Sequence, residues 1–246
     1  MPGDTGAFWK GLRLVAIDGT SLSVADSTEN LAHFTKPATP LGEAAYAKAR
    51  IVGLLKCGTH TIFAADVGPY GTAEQVLAQG VIDQLNPGML CLGDRGFFSY
   101  DLWQQVAGTG AQLLWRAKSN YRIDTVAELN DGSYLGNVYH HKARARANLL
   151  LLRVIEYQIT EGEDPDVFYR LFCSITDPEI APAYELAALY AKRWEIESAF
   201  DELKTHQFEA RRVLWSQSPE LLYQEIWGML ALHFGIRELM YDLSAS

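Results

Sequence analysis

The sequence predicts an α/β fold, a mixed sheet flanked by helices and interrupted by a β-rich insertion before the last pair of helices. Three observations lead there. Short strand-like runs rich in β-branched and apolar residues open the chain. From residue 72 onward, helix-like periodicity alternates with further strand-like runs, the pattern of a sheet with helices on its faces. Between 118 and 178 the texture changes to strand fragments, after which two long helical patterns close the chain. The expected organisation is therefore 1–117 as the first part of a catalytic core, 118–178 as the β-rich insertion, and 179–246 as C-terminal helices completing the core.

Taken in order, "LRLVAID" (12–18), "SLSVAD" (21–26), "ARIVGLLKC" (49–57) and "TIFAADV" (61–67) read as strands, with Asp18-Gly19 as a hairpin turn. Asp66 is expected at a turn before Gly68-Pro69, with a further carboxylate near the site as the other reading. "TAEQVLAQGVIDQL" (72–85) reads as a helix, stopped by Asn86-Pro87-Gly88 before the buried strand "MLCLGD" (89–94). A helix near 99–107 and a strand "AQLLWRA" (111–117) follow, with Trp115 expected as core packing and, as the other reading, an aromatic that stacks on a displaced base. The insertion holds "SYLGNVYHH", "NLLLLRVIEYQIT" and "VFYRLFCSIT", separated by Asp-Gly and Gly-Glu-Asp-Pro turns. Helices from about 180 to 206 and from about 219 to 241 begin near Pro182 and Pro219, where a helix start tolerates proline.

Composition narrows the function classes. A net charge of −9 makes the surface as a whole unlike a nucleic-acid footprint, so any such contact must be local. Cys57, Cys91 and Cys173 are widely spaced, with no CxxC pair to suggest a zinc site or a disulfide framework, which suits a reducing cytoplasm. The N-terminal stretch lacks the basic start and apolar core of a signal peptide, and the apolar run 221–241 is interrupted by Glu225, His233, Arg237 and Glu238.

The informative stretch is "LYAKRWEIESAFDELKTH" (189–206). On one continuous helix Tyr190, Arg193, Glu197 and Lys204 fall within a stripe roughly 60° wide, beside an apolar face of Leu189, Ile196, Phe200 and Leu203. Taken alone, this is accounted for by an i, i+4 surface pair of Arg193 and Glu197, worth a few tenths of a kcal/mol. Two aspartates upstream raise the stakes: Asp18 in "LVAIDGT" and Asp94 in "LCLGDRGF" each follow an apolar strand, where carboxylates are presented at a sheet rim. Each taken singly also suits a turn residue or a helix cap. Three carboxylates brought together repel unless a divalent cation joins them, and hard oxygen donors suit Mg²⁺ or Mn²⁺.

Tyr190-x2-Arg193-x3-Glu197-x6-Lys204 resembles the YREK signature of the DDE transposases of bacterial insertion sequences, and "AIDGT", "LGDRGF" and "YAKRWEIESAFDELKTH" resemble that group's three acidic motifs in order. The resemblance covers about residues 10–210. It implies an RNase H-like core interrupted by a β-rich insertion, in keeping with a Glu197 that follows Asp94 by 103 positions. It implies that Asp18, Asp94 and Glu197 are the catalytic, metal-binding triad for Mg²⁺, with Mn²⁺ as a substitute. It further implies that Tyr190, Arg193 and Lys204 contact DNA phosphates, and that the chain forms a homodimer on transposon ends and target DNA. The expected activity is metal-dependent strand cleavage and strand transfer.

Members of the group carry a helical DNA-binding region before the first aspartate, whereas 17 residues precede Asp18, so a chain lacking that region is expected. A non-transposing RNase H-like nuclease and an inactive transposase remnant stay open beside the transposase. Arg95 suits either neutralising the acidic cluster or touching DNA, and the basic run "HHKARAR" (140–146) suits either a DNA-contacting edge or a solvated turn. Asp201 is expected to be solvated or paired with a nearby base.

Overall fold

A computed structural model of the chain describes residues 7–40, 42–140, 149–159, 167–205 and 213–245. Along the chain the elements are β1 (Phe8–Trp9), β2 (Leu12–Val24), α1 (Thr28–Phe34), β3 (Ala38–Thr39), β4 (Gly42–Glu43), β5 (Ala47–Lys56), β6 (Thr61–Pro69) and α2 (Glu74–Ala78). A 3-10 turn (Ile82–Gln84) precedes β7 (Met89–Gly93), α3 (Tyr100–Gly108), β8 (Gln112–Arg116), β9 (Ile123–Glu128), β10 (Tyr134–Tyr139), β11 (Leu149–Ile159) and β12 (Val167–Cys173). The last elements are α4 (Ala183–Tyr190), a second 3-10 turn (Ala191–Arg193), α5 (Trp194–Thr205) and α6 (Pro219–Ala245). None of the described helices is long and apolar enough to cross a membrane. The chain divides into two compact units, Met1–Gln84 with Trp194–Ser246, and Leu85–Arg193.

In the first unit β2, β5 and β6 form an antiparallel meander. β2 is one unbroken strand of 13 residues, so the hairpin turn expected at Asp18-Gly19 is not there. Both residues sit in the ladder, Asp18 opposite Gly53 and Gly19 opposite Val52. Gly19 faces the Glu74 carboxylate on α2, the movable end of a side chain, which a Cβ would approach within 2.7 Å. Asp66 likewise lies inside a strand, opposite Val52 on β5, rather than at a turn. The helix expected over 72–85 is only five residues long before a 3-10 turn, and Gly80 between the two lies where a Cβ would collide with the Asp66 carboxylate. α5 buries Ile196, Ala199, Phe200 and Leu203, an i, i+3, i+4, i+7 stripe, and packs against β2.

The second unit holds a mixed sheet. β7 runs parallel to β8, and the order then continues through β12, β11, β10 and β9 with antiparallel pairing. α3 starts at Ser99, whose hydroxyl accepts the Leu102 N–H at 3.2 Å, an N-cap that satisfies an otherwise orphaned donor. Beneath it Phe98, Trp103, Trp115 and Phe172 pack edge to face in a buried aromatic cluster, which makes Trp115 a core residue. Arg153 on β11 is fully buried. Its guanidinium donates to the Ser133 hydroxyl at 2.7 Å and the Ala181 carbonyl at 2.6 Å, and pairs with Asp131 in the β9–β10 turn. Asp131 in turn accepts the Ala183 N–H at 2.8 Å, so a side chain 52 positions upstream caps the start of α4.

Candidate functional site

Each expected site residue has a distinct local setting. Asp18 projects from the middle of β2 rather than from its end. Its Oδ1 accepts the N–H of Gly19 at 2.7 Å, which turns the carboxylate toward its own main chain. Residues directly opposite one another in an antiparallel ladder project to the same face, so Asp18 shares a face with its partner Gly53. A Cβ on Gly53 would come within 3.2 Å of the Phe200 ring of α5. Asp18 therefore lies on the sheet face that α5 covers, and the missing side chain at Gly53 lets the helix approach that face closely.

Glu197 stands one turn before Phe200 on the same helix and is half-buried. Of the other acids on α5, Glu195 accepts the Gly58 N–H and lies 3.6 Å from His60. Glu202 lies 3.5 Å from His60 and pairs with Arg237 of α6. Asp201 pairs with Lys204 at 3.9 Å, the base expected near it. These contacts pin α5 to the β5–β6 turn and to α6, giving Glu197 a rigid mount.

In the second unit Asp94 immediately follows β7 and is half-buried, and Arg95 beside it is exposed. The Asp94 carbonyl accepts the N–H of Phe97 at 3.0 Å, closing the turn that ends the strand. Tyr190, at the end of α4, is 4% exposed, and its hydroxyl donates to the Gly93 carbonyl at 3.2 Å. Burial drives its phenol well above the ordinary tyrosine range; Arg193 nearby lowers it in part and Asp94 raises it. Arg193 is 5% exposed, its guanidinium centre 5.9 Å from the Tyr190 ring.

The single helix expected from about 180 to 206 is thus interrupted. α4 ends at Tyr190, and Ala191–Arg193 form a 3-10 turn before α5 begins. Tyr190 and Arg193 belong to the second unit, whereas Glu197 and Lys204 belong to the first. Lys204 is a third exposed on its side chain. Within the run "HHKARAR" only His140 is described, 3.3 Å from Asp101; the remaining positions, 141–146, lie outside the described residues.

The three expected carboxylates are of the residue type that hard divalent cations take. Asp18, Asp94 and Glu197 offer only carboxylate oxygens and stand on a strand, a strand end and a helix. The three cysteines Cys57, Cys91 and Cys173 are buried free thiols, and burial pushes Cys91 up to about 12 and Cys173 up to about 11. Among the described residues no group of three or more His, Cys, Asp or Glu is gathered as a metal cluster. Sequence reasoning missed Gly53, whose significance appears only with the β2–β5 register, and the Arg153–Asp131–Ala183 network.

Comparison with known proteins follows the same line. The sequence profile of the family described as "Transposase DDE domain" matches residues 9–233. Transposase InsG for insertion sequence element IS4, of Escherichia coli (strain K12), is 29% identical over 239 residues, covering 96% of this chain and 54% of its own length. Putative transposase InsZ of the same organism is 31% identical over 108 residues, 44% of this chain and 36% of its own. Among solved structures, the piggyBac transposase synaptic complex with hairpin DNA superimposes with a TM-score of 0.58 at 12% identity, covering 94% of this chain and 48% of that one. At such identity the likeness is one of fold, the α/β RNase H-like class that the motifs imply. The chain spans about half the length of InsG, and a smaller share of InsZ.

Proposed function

This chain belongs to the transposase DDE domain family of bacterial insertion sequences, and from that premise we propose that it is the catalytic core of a transposase, cleaving DNA at the ends of an insertion sequence and joining the freed strand to a target. Asp18, Asp94 and Glu197 are the carboxylates assigned to hold Mg²⁺, or Mn²⁺ in its place. The observation that supports this best is the register of Asp18 with Gly53, which puts Asp18 on the face covered by the helix carrying Glu197. A bound divalent pair would supply Lewis acidity at the scissile phosphate and lower the pKa of an attacking water or 3′-hydroxyl.

The chain's own residues supply placement. Asp18 and Glu197 are fixed by a ten-residue ladder and by an ion-paired helix, rigid supports of the kind a metal carboxylate requires. Lys204, about a third exposed on its side chain and 3.9 Å from Asp201, suits a salt-sensitive phosphate contact. Arg193 has the fork that phosphates favour, but it is nearly buried, so its contact would require the Tyr190–Arg193 packing to open. The DNA partner, assembly as a homodimer on it, and action in the cytoplasm belong to the same proposal.

The test is cleavage of an end-containing duplex. Asp94→Asn is expected to abolish Mg²⁺-dependent cleavage while melting as the parent does, and undiminished cleavage by the folded variant would overturn the assignment. Glu197→Ala should lose turnover and keep the salt dependence of DNA affinity, whereas Lys204→Ala should lower the salt slope by about one unit. A strand-transfer product separates a transposase from a nuclease that only hydrolyses.

A further inference from the structure

We propose that Tyr190 is a positioning residue for Asp94: its hydroxyl holds the Gly93 carbonyl and so fixes the peptide plane from which the Asp94 side chain departs. The inference rests on the reading of Asp94 as a metal carboxylate given above.

The pairing of β7 with β8 ends at Gly93, opposite Trp115. Beyond that point no ladder bond to β8 orients the chain, and Asp94 is the first residue of the turn. Two buried aromatic side chains grip this end of the strand. At the Cα of Gly93 the Trp115 ring packs so closely that a Cβ would come within 2.8 Å of it. At the carbonyl, the Tyr190 hydroxyl donates across 3.2 Å, with both residues buried. The peptide carbon that carries this oxygen is bonded to the Asp94 nitrogen, so rotating it would swing the carboxylate.

The phenol itself is held from behind. α4 is fixed at its first turn by Asp131, which is anchored on the fully buried Arg153. At its other end the 3-10 turn folds the Arg193 guanidinium toward the ring. The phenol O–H is directed at the Gly93 carbonyl oxygen. This also sets the role apart from a phosphate contact. A phenol has one proton to give, and here it goes to Gly93; the remaining lone pairs would repel a phosphate oxygen. Phenylalanine would fill the same space without the bond, which explains what the hydroxyl adds at this position.

The experiment uses the full chain with Tyr190→Phe, whose volume and burial match the parent. Three quantities are measured: Mn²⁺ affinity by calorimetry, single-turnover cleavage at saturating DNA and saturating Mn²⁺, and DNA affinity across a salt series. Loss of a group that orients a metal ligand typically costs about 10–100-fold in metal affinity or activity. Tyr190→Phe should therefore weaken Mn²⁺ binding by about tenfold and slow the saturated rate, with DNA affinity and salt slope unchanged. In an Asp94→Asn background it should have no further effect on either Mn²⁺ binding or rate. Unchanged Mn²⁺ affinity and rate in Tyr190→Phe, beside an inactive Asp94→Asn, would overturn the positioning role and leave the triad standing. A lower salt slope with normal Mn²⁺ affinity would overturn it in favour of a phosphate contact. Full cleavage and Mn²⁺ binding by Asp94→Asn would remove the parent reading, and this inference with it.

Discussion

Replacing Asp131 with alanine tests whether α4 is held in place from the β9–β10 turn. In the native chain Asp131 pairs with Arg153, which has no exposed surface, and also accepts the Ser133 hydroxyl at 2.5 Å and the Ala183 N–H at 2.8 Å. Removing one partner of a buried pair strands the other charge at a cost of about 3–5 kcal/mol. The Asp131 side chain keeps 19% exposure, and Arg153 retains Ser133 and the Ala181 carbonyl, so the lower end applies, about 3 kcal/mol. The uncapped first turn of α4 contributes within that total rather than on top of it, because the groups share partners. For a chain of this size each kcal/mol moves Tm by about 2–4 °C, so a drop of about 6–12 °C is expected. Asp131→Asn keeps an acceptor for Ala183 and Ser133 and should lose less. Urea unfolding followed by circular dichroism measures both, with amide exchange along α4 as a local readout. A loss below about 1 kcal/mol for Asp131→Ala, or unchanged exchange in α4, would refute the reasoning.

The same carboxylate predicts a pH dependence. Burial raises the Asp131 pKa, but the hydrogen bonds from Ser133 and Ala183 and the Arg153 charge outweigh it and leave the group lowered. Its stabilisation is therefore present above the unfolded value of about 3.9 and disappears as pH falls from there through the folded value. Acid titration of stability should show a steeper loss in that window for the parent than for Asp131→Asn, and parallel curves would contradict it. Gly19→Ala should cost under about 1 kcal/mol, because Gly19 lies in a strand and the Glu74 carboxylate that it faces can swing aside. A hairpin glycine with positive φ would cost more, so a large loss in a thermal melt would argue for the turn after all.

How much of this was legible in the sequence depends on the range over which each signal acts. The strands of the meander and the α3–β8 pair announce themselves by composition, since β-branched and apolar runs need only their own neighbours to be recognised. β9 escapes because "IDTVAE" is half-exposed to exposed throughout and carries no apolar alternation. The seven residues of α1 show too little periodicity to separate helix from loop. Asp18-Gly19 has the chemistry of a turn, and its place in a long strand is decided by ten partners on β5, which no local reading contains. The candidate carboxylates were found because motif spacing is a local signal. The roles of the residues around them were not, because those depend on packing. Tyr190 looks like a polar residue on a helical stripe until the 3-10 turn at 191–193 ends that stripe and its hydroxyl is found on Gly93. Its partner precedes it by 97 positions, and Asp131 caps α4 from 52 positions upstream. A linear pattern names the atoms that do chemistry, and the contacts that hold them in place become readable only once distant segments are paired.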